Sequence, residues 1–482
     1  MKILKYTILS AAILLSGCGK GFLEVESIGQ LGKEQLFTDV NGVRDALYGS
    51  YSLTAKFIQS EYGIYGDLRG EDVIRLTTSG DIYMLDEFNY TYNQDNATGP
   101  TTAIWADGYE ALNNINNVIE GSEALKAGRL NNAELVALEK YQGEAKALRA
   151  TVFLALCNVY AQHYTYTADA SHLGIPLPLK TPPPGGKLAR ATVKETYAQI
   201  ISDLKASISA LDGQTSQRIY ASADAARGLL SRVYLYMGDY ENAILYANEI
   251  INSGKNNLVK ADEYLDMFIL SSQRFDFNTI KSEVLWQMNL TNLSSRYMSL
   301  FYCGANFLGV ANESYVNMFE NSDVRKSMFY NDNGKFMTLK YDAYAGVVDA
   351  NWPINFKVIR TAEVILNRAE SYFHQQKYDL ALADLKTIRA RAYDVNASEI
   401  VINYNSPAEL LTLIKNERRK ELGFEGQRIY DITRYKESLN RGGNCTSSTC
   451  AVSYPNDIFI MPIPKTELDA NDLIIPNPTV NN

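Results

Sequence analysis

"ERRKELGFEGQRIYDITRY", residues 417–435, sets five basic and four acidic side chains among large apolar ones within nineteen positions. Read as one helix, Glu417, Glu421 and Glu425 fall four apart on a shared face. Like charges so placed repel by about 0.2–0.5 kcal/mol per pair, so cations must compensate. Arg418, Arg419, Lys420 and Arg428 lie in the stretch itself, Arg360 and Arg368 in "VIRTAEVILNRAE", and Arg389 and Arg391 in "KTIRARAY". A paired-carboxylate or hard-metal site would set the acids around an open cleft. Here Leu422, Phe424, Ile429 and Ile432 interleave with them, as in a packed helix. The expectation is a structural ion-pair lattice of Arg360, Arg368, Glu417, Glu421, Glu425 and Arg428, with no catalytic residue and no metal.

Working outward, helical periodicity dominates. In "EQLFTDVNGVRDALYGSYSLTAKF", Phe37, Val40, Val43, Leu47 and Tyr51 recur at helical spacing. The pattern returns from "AIWADGYEALNNINNVIE" to "LALCNVYAQHY" and stops at "GIPLPLKTPPPGG", where consecutive prolines and glycines force an extended crossing. It resumes with Thr192 and Ser222 as N-caps, Glu195 completing a capping box with Thr192. Tyr234, Tyr240, Ala243 and Ile244 match Tyr372, Tyr378, Ala381 and Leu382, each 138 residues later. Aromatic, turn, aromatic and then a small residue is the grammar of a tetratricopeptide helix pair. The expected fold is therefore dominated by α-helix, with tetratricopeptide-like helix pairs in a platform over about 36–255 and 355–437. Residues about 256–354, rich in Asn, Ser, Tyr and Gly, form a loop-rich insertion with short strands, one in "SEVLWQMNL". "YNDNGKF" (330–336) imitates a calcium loop but lacks its distal acid and reads as an Asn-Gly turn. An irregular segment, 438–482, closes the chain.

Composition narrows the chemistry. A formal charge of −9 over 482 residues disfavours nucleic acid, whose binding rests on clustered cations. Thirty-three Tyr against 3 Trp and 3 His leave little for histidine catalysis but many flat, polar-tipped faces. No cofactor motif is present. The N-terminus reads as a signal: basic "MKILK", apolar "YTILSAAILL", then small residues before Cys18. "LSGC" resembles a bacterial lipobox, which gives a lipoprotein signal peptide over 1–17, a lipidated tether over 18–35 and acyl anchoring at Cys18. Export favours disulfides, and Cys445 and Cys450 in "NCTSSTC" are close enough to bridge.

The opening stretch resembles the C-terminal signature of the SusD/RagB family, surface lipoproteins of Bacteroidetes-type nutrient-uptake systems, which reads ERR-x-EL-A-FEG-x-R-x-x-DL-x-R. Gly423 stands where the family more often has Ala, a change expected only to weaken the helix slightly. Further similar segments follow in order: "WADGYEALNNINNVIE", "EAKALRATVFLALCNVY", "GIPLPL", "RGLLSRVYLYMGDYENAI" and "IFIMPIPKTELDANDLIIPNP". The resemblance spans nearly the whole chain.

It implies one SusD-like unit over 36–482 that catalyses nothing, lies at the outer membrane facing outward, and caps a SusC-type TonB-dependent transporter. The implied ligand is an oligosaccharide, with peptide as the alternative and a ligand-free helical scaffold as a third reading. A pyranose ring offers an apolar C–H face to aromatic rings, while Asp, Asn and Arg take its hydroxyls. Loop aromatics and nearby polar groups are thus the candidates: Asp72, Arg75, Tyr83, Tyr90 and Tyr92 in one region, Tyr302, Tyr341, Tyr344 and Trp352 in the other. Trp105 and Trp286 are expected in the core.

Overall fold

The computed structural model describes residues 33–77, 80–91, 99–214, 217–268, 280–290, 298–303, 307–341 and 354–478. Helices dominate. Lys33–Leu36, Val40–Gln59, Pro100–Lys126 and Asn132–Tyr160 are followed by Val193–Leu211, Ala223–Met237 and Tyr240–Ile251. Thr361–His374, Tyr378–Tyr393, Pro407–Leu422 and Arg428–Arg434 complete the platform. The helical stretch expected from Phe37 onward is divided, because Asp39 takes extended backbone and its carboxylate accepts from Gly42 N, starting a helix only at Val40. Phe37 lies against the face of Gly121, where a side chain would collide with its ring. Thr192 and Glu195 cap each other reciprocally, and the Ser222 hydroxyl accepts from Ala225 N.

The 138-residue repeat is stereochemical. The paired helices Ala223–Met237 and Tyr240–Ile251 turn through Gly238 at φ 76°, and Thr361–His374 and Tyr378–Tyr393 turn through Gln376 at φ 59°. Gly238 and Gln376 are themselves 138 apart, both in the left-handed region. In each turn the second residue donates back to the aromatic of the preceding helix: Asp239 N to Tyr234 O and Lys377 N to Tyr372 O, both 2.9 Å. Ala243 and Ala381 are fully buried, their small side chains allowing close helix approach.

Strands are short. Val284–Leu290 pairs antiparallel with Ile354–Arg360, leading the chain from the insertion into Thr361–His374. A four-stranded sheet orders Val73–Arg75, Gly309–Ala311, Lys335–Thr338 and Phe329–Asp332 side by side. Asn333 and Gly334, at φ 51° and 85°, close the hairpin of its last two strands. The C-terminal segment adds a short helix, Lys465–Ala470. One apolar cluster extends from Val43 to Ile474 and includes Trp105 and the fully buried Trp286. Cys445 and Cys450 are joined by a disulfide.

Candidate functional site

The stretch 417–435 is two helices, not one. Pro407–Leu422 ends at Gly423, Phe424 and Gly426 adopt φ 65° and 73°, and the next helix begins at Arg428. Buried Asp67 holds this turn, accepting from Gly426 N at 2.5 Å and Arg428 N at 3.4 Å. Burial pushes its carboxyl up to about 7. Gly423 has a cause that the family pattern did not reveal. The Tyr315 hydroxyl donates to Arg419 O at 3.0 Å, capping the helix end, and a Cβ on Gly423 would lie 1.9 Å from that oxygen. Alanine does not fit here, so the expectation of a slight effect is corrected.

The three glutamates are buried and face cations from four elements. Glu421 accepts from Arg360 at 2.5 Å, Arg391 at 2.5 Å and Arg325 at 2.9 Å. Glu417 meets Arg325 at 2.6 Å and Arg389 at 2.8 Å. Glu425, beyond the helix end, meets Lys340 at 2.6 Å and Arg360 at 2.9 Å. Glu283 and Asp323 complete the cluster, on Arg360 at 2.8 Å and Arg325 at 2.7 Å. Burial alone would raise the Glu421 pKa, but Arg391, Arg360 and Arg325 hold it well below the ordinary carboxylate value. Glu417 and Glu425 are lowered likewise against their burial by their own partners. Two expected lattice members belong elsewhere. Arg428 pairs with Glu71, and Arg368 pairs with Asp384 at 2.6 Å inside a helix pair. In their place Glu283, Asp323, Arg325 and Lys340 come from the insertion, so the lattice is the floor to which that lobe is fastened.

Above this floor the four-stranded sheet joins the two regions singled out in the sequence: Ile74 registers with Val310 and Arg75 with Gly309. Most of the named residues build the sheet's support rather than its surface. Asp72 is buried and accepts from Arg419 Nε at 2.8 Å. Arg75, also buried, donates to the carbonyls of Tyr83, Leu76 and Asp81 at 3.1, 2.8 and 2.6 Å, fixing the loop between them. Buried Tyr90 donates to Arg69 O at 2.5 Å, with the Arg69 guanidinium over its ring. Tyr302 stacks on Tyr341 at 5.8 Å, and the Tyr341 hydroxyl donates to Phe424 O; both are buried against the signature turn. These five are therefore corrected from ligand contacts to structural residues, because their side chains are buried within the protein. Tyr83 is half-buried, its hydroxyl 3.2 Å from Glu61 Oε1 and its ring edge-on to Phe301. Cys18, Tyr92, Tyr344 and Trp352 lie outside the described residues.

The structure adds surface residues that sequence reasoning missed. Tyr330 is 51% exposed and Ile82 78% exposed. Lys335 lies over the half-buried Phe307 ring. The missed signal was alternation: Phe329 packs inward on Tyr315, Phe319 and Phe424, so on a strand Tyr330 must point the other way.

Two family models match consecutive parts of the chain: the SusD family over residues 235–479, and "starch-binding associating with outer membrane" over residues 48–235. A SusD-like protein P2 from Formosa agariphila is 24% identical, the match covering 98% of this chain and 99% of that one. Among solved structures, a SusD superfamily protein from Bacteroides thetaiotaomicron is similar at 26% identity and TM-score 0.80, covering 92% of this chain and 100% of its own. A protein from Bacteroides vulgatus described as a putative sugar binding protein is 25% identical at TM-score 0.78, covering 91% and 98%. With more than half of its length matched by the SusD family model, and with that architecture, the chain belongs to the SusD family.

Proposed function

We propose that the protein captures nutrient oligosaccharide, without chemistry, on the lobe surface around Tyr83 and Tyr330, and passes it to a SusC-type TonB-dependent transporter of the outer membrane. In this reading residues 1–17 are removed, a lipid on Cys18 anchors the tether 18–35 with the protein facing outward, and 36–482 works as one unit. The observation that carries it is the sheet that joins strand Val73–Arg75, whose Arg75 holds residues 81 and 83, to hairpin 329–338 over a charged floor. Aromatic faces beside polar groups suit the alternating C–H and hydroxyl surfaces of a sugar. Family membership and the similarity to a sugar binding protein support the ligand class. The carboxylates of the floor, each paired with arginine or lysine and buried, are unsuited to acid–base catalysis at an open cleft.

Calorimetric titration with oligosaccharides of differing linkage tests this. Tyr83→Ala with Tyr330→Ala should weaken binding by roughly 1 kcal/mol per ring with the melting temperature unchanged. Binding only of peptides, or affinity for glycan unaltered in the double variant, overturns the proposal.

A further inference from the structure

A cleft of about 510 Å³ lies outside the lobe, walled by Trp105, Tyr109, Pro176, Pro183, Leu188 and Glu467 among others. Its volume is that of a site for several side chains. The indole N–H of buried Trp105 donates to Glu467 at 3.3 Å and the Tyr109 hydroxyl to Pro176 O at 3.0 Å, so the polar tips are committed and the half-buried Tyr109 ring and the prolines form the apolar wall. The rim is apolar as well. Leu179 and Leu188 are 44% and 42% exposed, and Leu473 and Ile475 are 51% and 60% exposed. Asn471 Nδ2 donating to Leu188 O at 3.0 Å ties these two segments together. Exposed leucines and prolines beside a cleft of this size mark a docking surface.

The chain itself arrives beside this rim. The Lys33 ammonium is 2.8 Å from one oxygen of Glu120, and the other oxygen accepts from Thr181 N, on the proline-rich crossing, at 2.6 Å. From Glu120 back to Tyr109 and Trp105 is about 16–22 Å along the helix at 1.5 Å per residue. An extended chain covers about 3.3 Å per residue, so a stretch five to ten residues before Lys33 reaches the cleft. That stretch is "LEVESI", residues 23–28, in which Leu23 and Val25 alternate with Glu24 and Glu26. In extended form the apolar pair shares one side and the acids the other, and the rim carries Lys180, beside Lys187, whose ammonium is 3.0 Å from Asp472.

We propose that this cleft is the seat of the chain's own N-terminal segment, with Leu23 and Val25 against Tyr109 and the prolines, and Glu24 and Glu26 toward Lys180. Given the anchor proposed at Cys18, such docking shortens the free tether to a few residues and holds the lobe at a set height above the anchoring surface.

Pairwise cysteine cross-linking tests it in the full mature chain carrying Cys18→Ala. Val25→Cys with Leu188→Cys should oxidise to an intramolecular disulfide at least tenfold faster than Val25→Cys with Val401→Cys, although Val401 is the more exposed site, at 78% against 42% for Leu188. Adding Leu23→Ser to the first pair should remove most of that advantage while leaving the melting temperature unchanged. Equal rates for the two pairs overturn the proposal. So does a product that is a cross-linked dimer whose yield falls on dilution, since the occupant would then be a second copy.

Discussion

The platform and the lobe share one apolar core but differ in how densely buried charge is gathered where they are fastened. In the helix pairs, buried Ala243 and Ala381 let helices approach for apolar contact, a force without direction, with single ion pairs such as Arg232–Glu363 and Arg368–Asp384 between helices. The insertion has few regular elements; it joins the main core through Trp286, Phe301 and Tyr315 and is also fastened to the platform by Glu283, Asp323, Arg325 and Lys340, which lock it to Arg360 and the signature stretch. Bidentate guanidinium–carboxylate contacts fix orientation as well as distance. A lobe made of loops gains from them a defined pose that oily contact alone would leave loose.

The largest test strikes the lattice. Glu421→Ala leaves Arg325, Arg360 and Arg391 with an uncompensated share of buried charge, which costs about 3–5 kcal/mol. Ala381→Leu, overpacking the platform, should cost about 1–3 kcal/mol. Denaturant titration compares them, and a reversed order would show that the lobe does not depend on its ion pairs. Next comes Gly423→Ala, expected to cost about 1–3 kcal/mol by driving a methyl into Tyr315. Combined with Tyr315→Leu the added cost should shrink, the mark of a shared contact.

Acidity separates the two regions by sign. Glu417, Glu421 and Glu425 titrate below the ordinary value, so their contribution is present above about pH 4.3, the unfolded glutamate value, and is lost as pH falls through their lower folded values. Asp67, Glu87 and Glu144 behave in reverse. Burial lifts each to about 7, so the folded form binds their protons first, and that stability drains as pH rises from about 4 toward 7. Between about pH 4 and 7 these three acids should therefore pull the melting temperature down as pH rises, against the opposite slope of buried His163, whose pKa burial lowers to about 3. Glu144→Gln, at an acid that accepts from Tyr51 at 2.7 Å, should flatten the decline toward neutrality. An unchanged slope would place the titration elsewhere.

What the sequence disclosed follows the same division. Helix caps, the 138-residue repeat and the core tryptophans were legible because each is a local pattern. So was the presence of buried acids in residues 417–435, since they alternate with packing residues. Their partners in the insertion were not, because Glu283, Arg325 and Lys340 sit in stretches with no period to place them. The tyrosines misled for a related reason. Tyr90, Tyr302 and Tyr341 occur in loop-like sequence, and only the fold shows all three buried, with the Tyr90 and Tyr341 hydroxyls turned inward to backbone carbonyls.

The smallest effect sharpens the platform's side of the comparison. Gly238 and Gln376 occupy the same turn in the two repeats, but Gln376 carries a Cβ into the left-handed region, a cost of about 1–2 kcal/mol. Glycine removes that cost and adds freedom to the unfolded chain, which returns part of the gain. Gln376→Gly should therefore stabilise by about 0.5–1 kcal/mol, while Gly238→Ala should destabilise by a similar or larger amount. If both variants lose stability, the two turns are not equivalent, and the repeat is a likeness of residues without a likeness of backbone.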